Sequence, residues 1–195
     1  MDDLLDEARS MDVDAIDQPT TQSLESPHTL NPIHVGRISL GSFALRTRRQ
    51  MDRHEWDSFV ADKDSNPSRL AEKMAPAFCE FFRRNRMFGT IHAITTAPRS
   101  IRNLHKPHVM DAVSMAVASE LKLPHRVLFA PWDKDGRGRH AAHPEIEAMA
   151  DLSLFAGQSI WVLDDVTTTN RTLAASVLAL VRAGACARGL AYIAM

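Results

Sequence analysis

The stretch IWVLDDVTTTNRTL, Ile160 to Leu173, constrains this chain more than any other. Four apolar residues run without a break into two adjacent aspartates. A threonine-rich turn comes next, and then helical periodicity begins. A strand apolar on both faces is the mark of a parallel strand covered by helices on both sides. Such a strand delivers the residues after it to the carboxyl edge of the sheet, where ligands of open α/β sheets bind. Asp164 and Asp165 are acceptor-only groups suited to a vicinal diol. Thr167, Thr168, Thr169 and Thr172 bring hydroxyls, and residues 168–172 bring amides at a helix N-terminus, which favours an anion. Arg171 adds a cation. Together these groups point to a phosphorylated sugar.

The rest of the sequence supports an α/β chain with a parallel twisted sheet of about four to five strands flanked by helices, a Rossmann-like core. Alternation over 36–48 predicts a strand or hairpin. The charged segment Asp52–Asn66 reads as loop, with Trp56 and Phe59 turned inward. Pro67 opens a helix with Leu70, Met74, Phe78, Phe81 and Phe82 on one side. Strands are predicted at Thr90–Thr96, Arg126–Ala130, Ile160–Leu163 and Gly189–Ala194. Helices are predicted at Val109–Leu121, Glu145–Leu152 and Arg171–Ala183, the last ending at a C-cap glycine, Gly184.

Charge divides the chain unevenly. Residues 1–27 hold eight acids and one base (net −7), and the remainder holds twenty-two bases and sixteen acids (net +6). Residues 1–35 therefore read as a disordered acidic tail, and 36–195 as one folded domain. The basic body suits a phosphate-rich small molecule and leaves nucleic acid open as a partner. Cys79 and Cys186 are the only cysteines and lack CxxC partners, so no zinc ribbon or disulfide framework is implied. A cytoplasmic setting is expected, because no stretch approaches a membrane span and the acidic start does not resemble a secretory signal. No GxGxxG succeeds a strand, which argues against a dinucleotide site, and no GxxxxGK[ST] is present, so a P-loop is excluded.

Two further loops lie at strand ends. TTAPRSIRNLHKPH brings Arg99, Arg102 and Lys106 to the same edge, suited to polyphosphate. PWDKDGRGRHAAHP is long and charged, as lids often are, and offers Lys134, Arg137 and Arg139. His140 and His143 lack a third ligand at a convincing spacing, so no protein metal site is expected.

On Asp164, Asp165, Thr168, Thr169 and Thr172, the segment resembles the phosphoribosyl-pyrophosphate (PRPP) motif of type I phosphoribosyltransferases. That motif is an apolar strand, two acids, two spacers and Thr-Thr-Gly-x-Thr. Asn170 stands where the family has glycine. Within the superfamily the chain is most similar to ComF-type competence proteins, from about Pro67 to Met195, without their N-terminal zinc ribbon. The resemblance implies a phosphoribosyltransferase, with Asp164 and Asp165 on the ribose hydroxyls. Thr168, Thr169, Asn170, Arg171 and Thr172 then meet the 5′-phosphate, and Arg99 and Arg102 meet pyrophosphate. Lys134, Arg137 and Arg139 belong to a closing lid. It also implies Mg²⁺ held mainly through PRPP, an unidentified nitrogen acceptor, and pairing of two copies. The alternatives are a non-catalytic PRPP or nucleotide sensor and a ComF-like DNA-uptake accessory protein.

Overall fold

The computed structural model describes residues 28–29, 33–35, 38–85, 90–101, 104–105, 107–132 and 146–195. Residues 1–27, and so most of the expected acidic tail, lie outside this set, as does most of the expected lid. The chain contributes β1 (His28–Thr29), β2 (Ile33–Val35), β3 (Ile38–Leu40), β4 (Ser42–Thr47), α1 (Arg53–Ser65), α2 (Pro67–Arg84) and β5 (Ala93–Thr96). It continues with α3 (Val109–Leu121), β6 (Ser159–Thr167), α4 (Arg171–Arg182) and β7 (Cys186–Ala194). The last part of the segment read as tail, 28–35, thus carries two short strands.

One sheet runs β1-β4-β7-β6-β5, and β2 pairs with β3 in a separate hairpin. The β4–β7, β7–β6 and β6–β5 pairings are parallel, and only the two-residue β1 at the edge is antiparallel. Helices cover both faces. Against one face pack α1, α2 and α3, where Phe59, Phe78, Val113, Trp161 and Leu163 share a cluster. Against the other packs α4, with Leu173, Val177 and Leu180 on Ile160 and Val162. The α/β architecture expected from the sequence is therefore the one present.

Burial on both faces explains the unbroken apolar run of β6. Trp161 is fully buried and meets Phe81 and Phe82 edge-on, at centroid distances of 5.6 and 5.1 Å. On the opposite face α4 lies so close to β7 that a Cβ on Gly189 would stand 2.7 Å from Leu173 Cγ. Glycine is what admits the helix there. At the end of α4, Gly184 takes φ +91°. Its N–H donates to the Val181 carbonyl and the Ala185 N–H to the Leu180 carbonyl, a Schellman ending.

Four local expectations are corrected by the structure. Asp52–Asn66 is mostly helix, not loop: the Asp52 side chain caps it by accepting the Glu55 N–H, and Phe59 stacks between Trp56 and Tyr192. Few apolar residues mark α1, because only its aromatic pair reaches the core. Arg126–Ala130 is not a ladder strand. It lies along β5 through two bonds, Ile94 N–H to the Pro124 carbonyl and Arg126 N–H to the Ile94 carbonyl, each 2.9 Å. The described part of Glu145–Leu152 is not helical. Ala148 bridges back to Phe129, and only Leu152–Phe155 turns, as a 3₁₀ segment. Finally, β6 does not stop at Leu163. Its pairing with β7 runs on through Asp164, Val166 and Thr167.

Candidate functional site

The extension of β6 decides how the twin acids stand. Side chains alternate along a strand. Ile160 and Val162 face α4, Trp161 and Leu163 face the other layer, and Asp165 reaches α1 of that other layer through Lys63. Asp165 is only 6% exposed. Its Oδ2 lies 2.5 Å from the Lys63 ammonium at the end of α1, and its Oδ1 accepts the Val166 N–H at 2.6 Å. Asp164 is half-buried and accepts the Asp165 N–H through Oδ1 at 2.9 Å. Lys63 is a site residue that sequence patterns did not reveal. Its signal was hidden because only the fold brings a charged helix end onto the strand.

Thr168 and Thr169 are exposed and form the bend beyond β6. Asn170 turns it, at φ 57° and ψ 7°, the left-handed region that asparagine tolerates better than most residues. Its side chain is buried, and neither amide atom has a hydrogen-bond partner among the described residues. The Asn170 carbonyl accepts the Ala174 N–H at 2.9 Å, so it serves as N-cap of α4 by backbone alone. The bend therefore leaves the first turn of α4 without a side-chain cap from Asn170. Arg171 stands exposed at the start of that turn, and Thr172 is half-buried beside it.

The loop after β5 stays close to β6. Ala97 N–H donates to the Leu163 carbonyl at 2.8 Å. Arg99 is held further out: its carbonyl accepts the Trp132 N–H at 2.8 Å, and its guanidinium comes to 3.9 Å from Asp111 Oδ2. Arg102 and Lys106 lie outside the described residues, as do Lys134, Arg137, Arg139, His140 and His143.

A cleft of about 480 Å³ opens beside this loop, between Thr96–Arg99, the first turns of α3 and the segment 125–131. His108 and His125 both face it. His108 Nδ1 is 3.5 Å from Asp111 Oδ1. Burial pushes the His108 imidazole below the usual histidine value, against Asp111 and Asp165, which favour its charged form, and with Lys63, which opposes it. His125 is also pushed down, by burial first. Its Nε2 lies 3.0 Å from Ser114 Oγ, which in turn donates to the Asp111 carbonyl at 3.2 Å. Composition and spacing singled out neither histidine for this pairing, which depends on how α3 meets the edge of the sheet.

Among the described residues, no three His, Cys, Asp or Glu side chains gather closely enough to ligate a metal. No helix among them is long and apolar enough to cross a membrane.

No protein-family model matches this sequence, and no curated protein matches it. Solved chains do match by shape. One is described as "Analysis of an invariant aspartic acid in HPRTs, glutamic acid mutant". It shares 8% identity at a TM-score of 0.41, over 66% of this chain and 67% of that one. A likeness at that level carries no weight for function. The class that strand order and site define is an α/β chain with a carboxylate-bearing strand end and a helix N-terminus at one edge of its sheet.

Proposed function

We propose that this chain binds PRPP at the junction of β6 and α4 and transfers its phosphoribosyl group to a nitrogen acceptor, with release of pyrophosphate. The observation that carries the reading is that junction itself. A buried strand brings two carboxylates to the sheet edge, and a left-handed bend then turns directly into the first turn of α4. Diol recognition needs the first and phosphate recognition the second.

In this reading Asp164 and Asp165 accept the ribose hydroxyls. Asp165 does so by exchanging the Lys63 ammonium for a hydroxyl, or by sharing its oxygens between them. Thr168, Thr169, Asn170, Arg171 and Thr172 surround the 5′-phosphate. Arg99 and Arg102 meet pyrophosphate, and Lys134, Arg137 and Arg139 close over it. A donor set this sparse fits a magnesium ion carried mainly on ligand oxygens, since Mg²⁺ keeps its waters and takes few carboxylates. When bound, the ion offsets charge building on the departing pyrophosphate. The residues hold the pentose in line and stabilise an oxocarbenium-like state, so catalysis here is chiefly placement and electrostatics.

The test is thermal stabilisation by PRPP with magnesium. Wild type should gain stability, and Asp164→Asn with Asp165→Asn should lose that gain while keeping its far-ultraviolet circular dichroism. An unchanged gain in the double variant refutes the reading. One observation favours the non-catalytic sensor as a second reading: a buried asparagine side chain, Asn170, stands where the PRPP motif has glycine. Stabilisation by PRPP without pyrophosphate release, across a panel of amines and bases, would select the sensor.

A further inference from the structure

The outer seam between α2 and α3 is a groove of about 550 Å³ that the sugar-phosphate site does not use. Every residue lining it belongs to one of those two helices, and none to the sheet. Its origin lies in the sequence. Ala71, Ala75 and Cys79 recur at four-residue spacing along α2, and Ala112 and Ala116 do the same along α3. Residues four apart share one helical face. Side chains this small cannot fill the space between two helix backs, so the seam stays open where larger ones would close it. The floor is apolar. Ala71, Ala75 and Cys79 are buried, and the Cys79 thiol has no hydrogen-bond partner among the described residues.

Polar groups define the two ends. At the C-terminal ends of both helices, Arg83 of α2 pairs with Glu120 of α3. Both line the groove, so the pair bars it there. A helix laid along the seam would meet that bar, whereas a compact molecule would not. The volume falls within the range of about 300–1,000 Å³ that small molecules occupy. Toward the other end stands Glu72, with Ser68 one turn before it and Pro76 one turn after it. Proline has no N–H, so the Glu72 carbonyl lacks the amide that would close its helical turn. The Glu72 carboxylate is exposed and enters no ion pair among the described residues. Arg83 stands about 16 Å further along α2, at 1.5 Å per residue, so the cation that holds Glu120 does not also serve Glu72. One residue thus offers two acceptors in want of donors, at the edge of an apolar trough.

We infer that this groove binds a small amine, whose apolar body lies on the alanine floor and whose ammonium donates to Glu72. An ammonium has three donors and no acceptor, which suits a carboxylate beside a carbonyl without its amide. A carboxylate ligand would bring acceptors to acceptors, and an alcohol would bring one donor without charge. The inference does not depend on the transfer reading above.

Three probes of similar size and different head groups test it on the full chain: 2-phenylethylamine, phenylacetate and 2-phenylethanol. With methyl-labelled alanine, 2-phenylethylamine should shift the Ala71, Ala75, Ala112 and Ala116 signals together. It should bind about ten-fold more tightly than either of the others, the scale of one hydrogen bond to a charged group. Glu72→Gln should lower its affinity about ten-fold and leave that of 2-phenylethanol unchanged. Ala116→Leu should fill the groove and weaken binding of the amine at least ten-fold. Both positions are exposed, so both variants should keep the far-ultraviolet circular dichroism of wild type. The inference is overturned if no probe shifts those signals, or if phenylacetate or 2-phenylethanol binds as tightly as the amine. Amine affinity indifferent to Glu72→Gln or to Ala116→Leu overturns it equally.

Discussion

Breaking the Lys63–Asp165 pair tests whether the end of α1 is tied to the site or merely rests beside it. Losing one partner of a fully buried pair costs about 3–5 kcal/mol, because the other charge is left without compensation. Here the Lys63 side chain is 40% exposed, while that of Asp165 is 9% exposed. Water can therefore reach the lysine end, and the Val166 N–H remains bonded to the carboxylate. Lys63→Met should accordingly cost about 1–2 kcal/mol, less than half the fully buried figure. For a chain of this size that is a fall in Tm of about 3–6 °C. Asp165→Asn should cost less, since the amide keeps the Val166 bond and the freed ammonium can hydrate. With Asp165→Asn already present, Lys63→Met should cost almost nothing more. Urea unfolding of the four proteins without ligand gives the coupling, expected at about 1 kcal/mol. Effects additive within about 0.3 kcal/mol would show that the two side chains do not interact, and the geometry of the site would have to be redrawn.

Gly189→Ala places a Cβ 2.7 Å from Leu173 Cγ, so it should destabilise the chain by about 1–3 kcal/mol in urea unfolding. Leu173→Ala in the same chain should lower the additional cost of the glycine change; a full penalty there would mean that the close approach is not its cause. The two histidines set a pH dependence. Both have native values below 6.5, so the unfolded chain binds more protons over this range. Their contribution to stability is complete above 6.5 and is lost as the pH falls through 6.5 toward the lowered native values. His108→Gln with His125→Gln should therefore flatten the fall in urea midpoint between pH 7.5 and 5.5. An unchanged slope would assign that fall to other groups.

How legible the fold was depends on which residues carried the signal. β6, α3 and α4 could be read because their apolar residues recur at strand or helical spacing and face a packed layer. The Gly184 ending could be read because a left-handed residue there has one common solution. α1 was missed because thirteen residues bury little beyond Phe59 and part of Trp56, and a mean composition that polar looks like loop. Arg126–Ala130 looked like a strand because Leu128 and Phe129 are indeed buried, yet burial alone does not complete a ladder. Within the site, Asp164, Asp165 and the threonine bend were visible because they are contiguous. Lys63 and the His108–Asp111 pair were not, because they come from two distant stretches of chain and only the layers bring them to the strand end.

The length of β6 has a consequence for how the site works. Had the strand ended at Leu163, both acids would sit in a loop, free to turn toward one diol. Pairing with β7 continues past them, and Asp165 is held by Lys63 on the face that α1 covers. A ligand that reaches both acids therefore lies at the strand end, where the bend at 168–170 begins. In the proposed reading the pentose lies over that edge. In that reading its phosphate lies toward the first turn of α4. The charge on the Asp165 side is already matched by Lys63, so a hydroxyl arriving there competes with a cation, whereas one arriving at Asp164 does not compete with Lys63. Asp165 is thus held by a cation before any ligand arrives. If PRPP binds here, Lys63→Met should raise PRPP stabilisation by removing the competing cation from Asp165, and a lowered stabilisation would mean that Lys63 itself helps to hold the ligand.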